Sequence, residues 1–150
     1  MTGQSEGMED DELRGDAVLR LPVRARGIEL GHPIDLILDL AGGRAVGLNV
    51  FCGDRRQRFL PLAAASIEDD TISITSALIL LDDLGAQFYR DRADALAGLR
   101  GQMVEQGGRR LGRLVDVVMG RDCRLRSLLV KGPAAEIAVP LADGPVLAPV

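Results

Sequence analysis

From residue 34 to residue 40 apolar and polar side chains alternate, with Ile37 the one exception. A period of two is the pattern of a strand that buries one face. Ala41, Gly42, Gly43 and Arg44 then supply turn chemistry, because glycine reaches a positive φ without a Cβ clash. Residues 45–51 read as the returning strand, residues 53–57 as a loop, residues 58–62 as a third strand and residues 71–75 as a further one. The same order recurs later: a strand over 114–119, a turn at Gly120, Arg121, Asp122 and Cys123, then strands over 125–130 and 136–141. Short strands at regular spacing, parted by glycine turns, predict a small barrel or sandwich. No helix falls between successive strands, which argues against a parallel βαβ design. One segment departs from this pattern. Leu81, Leu84 and Phe88, then Tyr89, Arg92, Ala93 and Leu96, fall at helical spacing, with Asp82 and Asp83 where a helix N-terminus favours acids. A helix is predicted over about residues 82–96, ended by Gly98 and Gly101.

Laid over itself, the chain repeats at a constant spacing of 81 positions. Val23 falls on Val104, Gly27 on Gly108, Leu30 and Gly31 on Leu111 and Gly112, and Asp35 on Asp116. Downstream, Leu48, Asn49 and Val50 fall on Leu128, Leu129 and Val130 after a one-residue gap. Phe59, Leu60, Pro61 and Leu62 fall on Ala138, Val139, Pro140 and Leu141 after one more.

The order Leu-Gly, three residues, Asp, an alternating strand, a Gly/Asp turn, a second strand and a Val/Leu-Pro-Leu strand resembles the PRC-barrel domain. That domain is named from the photosynthetic reaction-centre H subunit and also forms the C-terminal half of the ribosome maturation factor RimM. Leu30, Gly31 and Asp35, with Leu111, Gly112 and Asp116, carry the resemblance, and the segments around Pro61 and Pro140 complete it. It covers nearly everything from about residue 20 to residue 148. The chain is also similar to two-copy PRC-barrel proteins whose copies are joined by a Leu-Leu-Asp-Asp…Phe-Tyr-Arg-Asp-Arg helix, as residues 80–92 read here. The resemblance implies an all-β fold of two small PRC-type barrels in tandem, joined by one helix. The expected division is a disordered acidic tail over 1–15, a first repeat over 16–80, a linking helix over 81–98 and a second repeat over 99–150. Gly31, Asp35, Pro61, Gly112, Asp116 and Pro140 are the fold-defining positions. Two departures limit what carries over. The H subunit's membrane helix is missing, and the first half is another copy of the same unit, whereas RimM begins with a different barrel.

Charge sharpens the division. The net charge of −4 is concentrated at the start, where Glu6, Glu9, Asp10, Asp11 and Glu12 face no basic residue. The rest of the chain is near neutral, so the whole-chain field gives no support to a polyanion partner. Residues 98–132 are the local exception, with eight basic side chains against three acidic ones. Arg109, Arg110, Arg113, Arg121, Arg124 and Arg126 are the candidate partner-binding residues there, able to meet RNA phosphates or an acidic protein surface. The aromatic residues Phe51, Phe59, Phe88 and Tyr89 all lie outside this region, and single-strand binding normally uses stacking platforms.

Catalytic signatures are sparse. His32 is the one histidine, and a lone histidine without further ligands makes no metal site. It also lacks a nucleophile motif to serve. Cys52 and Cys123 are isolated, and Lys131 follows no phosphate-loop glycines. Asp35 and Asp116 read as residues the fold needs, because both copies carry one at the same place. The first 20 residues are polar and acidic, unlike a signal peptide, and no run approaches the ~18 apolar residues of a membrane span. The sequence therefore predicts a non-catalytic cytoplasmic binding or adaptor protein with reduced thiols, working through protein contacts. No cofactor, metal, small-molecule substrate or membrane is expected. An RNA- or ribosome-associated assembly factor using the basic second repeat is the alternative. A homo-oligomer paired through open barrel edges is the third expectation.

Overall fold

In the computed structural model, which describes residues 11–82, 85–87, 91 and 93–148, the alternating segments form two sheets, one built mainly from each half of the chain. The chain opens with β1 (Glu12–Arg14) and a short helix, α1 (Gly15–Leu19). The first half continues as β2 (Val23–Ala25), β3 (Ile28–Asp39), β4 (Arg44–Cys52), β5 (Gln57–Pro61), β6 (Ser66–Ile67) and β7 (Ile72–Ile74). After β8 (Asp94–Ala95) and α2 (Leu96–Leu99) come β9 (Met103–Gln106), β10 (Arg109–Gly120), β11 (Leu125–Lys131), β12 (Glu136–Pro140) and β13 (Val146–Ala148). The sheet orders are β5-β4-β3-β2-β7-β6 and β12-β11-β10-β9-β13, with β8 added to β3 and β1 to β10. Neither sheet closes on itself among the described residues, so the expected closed barrels are not found; the β character is.

The sequence repeat is a repeat of register. Leu48 pairs with Leu60 as Leu128 pairs with Val139, and Gly47 pairs with Pro61 as Ser127 pairs with Pro140. Both prolines end a sheet-edge strand, where a missing N–H breaks no ladder bond. Both are followed by a 3₁₀ turn, Leu62–Ala64 and Leu141–Asp143. The Leu-Gly motif has an equally physical origin. A Cβ on Gly31 would overlap the Phe51 carbonyl, and a Cβ on Gly112 would overlap that of Lys131. Each glycine lets a 12-residue strand pass flush against its neighbour.

The two halves exchange their leading segments. β1 pairs with the far end of the other half's long strand, Arg14 opposite Val118. β8 does the same in return, Ala95 opposite Ile37. These positions are related by the same 81-residue spacing. As a result one apolar core spans both halves: Leu36, Leu38, Leu48 and Leu60 belong to the same cluster as Val104, Leu114, Met119 and Leu128. At about 1.5–3 kcal/mol for each large side chain withdrawn from water, this shared core dominates stability. A smaller cluster of Ile37, Phe59 and Ala86 lies apart from it, with Leu81 packed on it.

Two expectations are corrected here. Residues 12–15 are not disordered tail, because β1 is laddered to β10 and Gly15 begins α1; residues 1–10 lie outside the described residues. Nor does one helix fill residues 81–98. Leu81 exchanges both backbone hydrogen bonds with Phe59, at 2.8 and 2.9 Å, residues 94 and 95 are strand, and α2 is a separate single turn. Residues 85–87 are helical, while positions 83, 84, 88–90 and 92 of that expected helix lie outside the described residues. Sheet pairing at both ends removes the backbone groups that a continuous helix would have used.

Because the clash at Gly31 and Gly112 is with backbone, no rotamer change relieves it. Gly31→Ala and Gly112→Ala are each expected to lower the unfolding free energy by roughly 2–4 kcal/mol in urea titrations, Gly112→Ala the more because its φ of 147° adds backbone strain.

Candidate functional site

The paired aspartates hold the exchange together. Asp35 Oδ1 accepts from Leu36 N–H at 2.9 Å and from Ala97 N–H, in the first turn of α2, at 3.1 Å. Asp116 Oδ1 accepts from Val117 N–H at 2.8 Å, and its Oδ2 from Asp16 N–H, in α1, at 3.1 Å. Each carboxylate thus sits on one half and fastens the short helix that leads into the other. Only Asp116 is fully enclosed, at 1% exposure, and only it has guanidiniums nearby: Arg14 Nε at 3.7 Å and Arg100 Nη2 at 3.9 Å. Arg14 also forks onto Glu136 at 3.2 Å, which holds the Arg14 guanidinium above its ordinary pKa range. A buried carboxylate persists only when paired in this way. These residues form the joint of the fold.

The six arginines singled out in the second half do not form one patch. Arg109 and Arg110 stand at the tip of the β9–β10 hairpin and Arg113 a few residues along β10, whereas Arg121, Arg124 and Arg126 lie around the β10–β11 turn. Arg110 and Arg121 are separated along the chain by roughly 35 Å of extended strand. Several are already engaged. Arg121 binds Asp69 at 2.6 Å, Arg126 approaches Asp122 and Asp11 at 3.3 and 3.7 Å, Arg110 approaches Glu105 at 3.7 Å, and Arg113 donates to the Gly101 carbonyl at 2.8 Å.

An apolar hollow in the first half was not anticipated from the sequence. It encloses about 460 Å³ between Leu30, Cys52, Ala77, Leu78 and Leu80, and its rim carries Glu29, Asp54 and Arg58. Leu78 is 90% exposed, although it lies in the 3₁₀ turn Ala77–Ile79. That turn is fixed at both ends. Ser76 Oγ accepts from Leu78 N–H at 3.1 Å, Leu80 N–H reaches the Ala77 carbonyl at 3.1 Å, and Leu81 is tied to Phe59. On the rim, Arg58 forks onto Asp54 at 2.9 and 2.7 Å. This fork, with help from Arg56 N–H, lowers the Asp54 pKa from 3.8 to about 2.

His32 is exposed, with Nε2 at 3.0 Å from Glu29 Oε2. Cys52 and Cys123 are buried free thiols, and burial followed by the neighbouring Asp122 charge pushes the Cys123 thiol up. Among the described residues no group of three or more His, Cys, Asp or Glu side chains could hold a metal ion, and no helix is long and apolar enough to cross a membrane.

Two outcomes follow from this geometry. Asp116→Ala strands the buried Val117 N–H and the partly buried Asp16 N–H and removes the enclosed carboxylate beside Arg14 and Arg100, so it is expected to lower stability by about 3 kcal/mol in denaturant titrations, and more than Asp35→Ala. Asp54 is depressed in the folded protein, so its contribution is complete above pH of about 4 and is lost as pH falls toward 2. Arg58→Gln is expected to return the Asp54 titration toward 3.8, read from its side-chain chemical shift. Compared with known proteins, the chain matches no family model and no curated sequence.

Proposed function

We propose that this chain is a non-catalytic binding module of the cytoplasm that docks a partner protein on the apolar hollow beside Leu78. The observation that carries this reading is the combination of exposure and rigidity at Leu78. A leucine held in water by a bonded turn is an anchor offered to something else, and it loses little entropy when covered. The apolar centre with a charged rim at Glu29, Asp54 and Arg58 has the anatomy of a protein interface. We assign each half to the PRC-barrel type on the equivalent roles of Gly31 and Gly112, of Asp35 and Asp116, and of Pro61 and Pro140. Two buried free thiols suit a reducing compartment.

A second reading, an RNA- or ribosome-associated factor, is supported by one feature. Arg109, next to Arg110 on an exposed hairpin tip, has no acidic partner among the described residues.

One comparison separates the two. The chain and its Leu78→Glu variant are used as baits in native lysate, with and without RNase. A discrete protein retained after RNase by the parent and lost from Leu78→Glu is expected. The variant should melt within about 0.5 kcal/mol of the parent, because the side chain is exposed. Ribosomal proteins that vanish with RNase, and that Arg109→Ala with Arg110→Ala and Arg113→Ala releases, would replace this reading with the second.

A further inference from the structure

Among the described residues one isolated backbone bridge joins the two sheets, at the starts of β4 and β11. Ala45 N–H donates to the Cys123 carbonyl at 2.8 Å, and Leu125 N–H donates to the Gly43 carbonyl at 2.9 Å. Between these two bonds Arg44 and Arg124 form an isolated antiparallel bridge. The flanking bonds put the arginines in a non-hydrogen-bonded pair, where opposed Cα atoms lie about 4.5 Å apart and side chains leave on the same face. The pair is held stiffly on both sides. Gly43 and Cys123 precede the two arginines, and both have φ of 68°. A cysteine in that left-handed region is disfavoured and persists because the bridge fixes it.

Like charges placed directly opposite one another repel. Most arginines nearby have that charge balanced: Arg121 by Asp69, and Arg126 by Asp122 and Asp11. Arg44 and Arg124 are exposed, and neither guanidinium has an acidic partner among the described residues. Asp122, the nearest acid in sequence, spends its carboxylate on the Arg124 backbone N–H at 3.0 Å and on Arg126. Beside Arg44 is a hollow of about 360 Å³, lined also by Val46, Pro61, Leu62, Asp122 and Cys123 but not by Arg124.

We propose that Arg44 and Arg124 form a binding site for a phosphoryl group or an equivalent oxyanion of charge −2 or more, held where the two halves of the chain join. Two arginines opposed on one face of the bridge can turn their guanidiniums to the several acceptor oxygens of such a group, and a dianion offsets the like charges that the bridge sets opposite each other. The site needs one arginine from each half, so the anion also fastens the halves to each other. It is separate from the Leu78 hollow and does not rest on it.

The test is a titration of the full chain at constant ionic strength with inorganic pyrophosphate and, separately, with phosphoserine, followed by backbone amide NMR and by thermal melting. Saturable shifts centred on residues 43–45 and 123–125, with a rise in melting temperature, are expected. Arg44→Gln and Arg124→Gln should each weaken binding by roughly tenfold or more. Without anion each variant should melt no lower than the parent, because the repulsion is gone. Arg109→Gln, which removes an equally unpartnered but distant charge, should bind as the parent does. The tighter of the two probes names the source, a free phosphate species or a phosphomonoester. The proposal is overturned if neither probe saturates, if Arg109→Gln weakens binding as much as Arg44→Gln, or if the unliganded arginine variants are destabilised.

Discussion

The arrangement of this chain hangs on two carboxylates that each serve the opposite half. Asp35 and Asp116 occupy the same place on the two long strands. Each accepts the N–H that follows it in sequence and an N–H from the helix entering the other half. A carboxylate aimed at the first turn of a helix satisfies donors that have no partner within the helix. Here that ordinary cap also decides which half each leading segment belongs to. Once α1 is fastened to Asp116, β1 lies alongside β10; once α2 is fastened to Asp35, β8 lies alongside β3. At the centre Gly15 and Leu96, first residues of the two helices and equivalent in the repeat, meet so closely that a Cβ on Gly15 would lie 3.1 Å from the leucine methyl.

The shared core follows from this exchange. Neither sheet covers its own apolar face, so Leu36, Leu48 and Leu60 of one half and Leu114, Met119 and Leu128 of the other exclude water together. A unit of half this length would be marginal alone, because a small chain buries too small a fraction of its surface. The joint at Arg44 and Arg124 is a second seam between the halves, made of two backbone bonds and bearing two charges.

Duplication leaves the scaffold symmetrical and the surfaces free to differ. Phe59 is fully buried under Leu81 and near Ala86, while its counterpart Ala138 is exposed on an uncovered strand. The turn that presents Leu78 belongs to the first half. The arginines and the enclosed Asp116, with Arg14 and Arg100 beside it, belong to the second. The Leu78 turn and the arginines beside Asp116 thus sit on features that the two copies do not share, whereas Arg44 and Arg124 occupy equivalent places in them.

The sequence by itself determined the main strands of each half, their order and the repeat, though not the short strands β1, β2, β6, β8 and β9, because a period of two, glycine turns and ordered Leu-Gly, Asp and Pro positions are local properties of the chain. It also marked Asp35 and Asp116 as residues of the fold. It did not determine partners. Residues 12–15 and 93–96 share almost no side chains, so their equivalence is legible only in the ladders they join. The helical spacing after Leu81 was real, but two backbone bonds to Phe59 and the pairing of β8 took the ends of that segment into sheets. Six arginines close in sequence were drawn apart by a 12-residue strand, while Arg44 and Arg124, far apart in sequence, were brought opposite each other. Leu78 looked like any leucine of an apolar run, since nothing local says that a rigid turn will hold it in water. Periodicity fixes which residues face a core; only the long-range closing of chain against chain decides whose core it is, and which charges and apolar groups are left outside it.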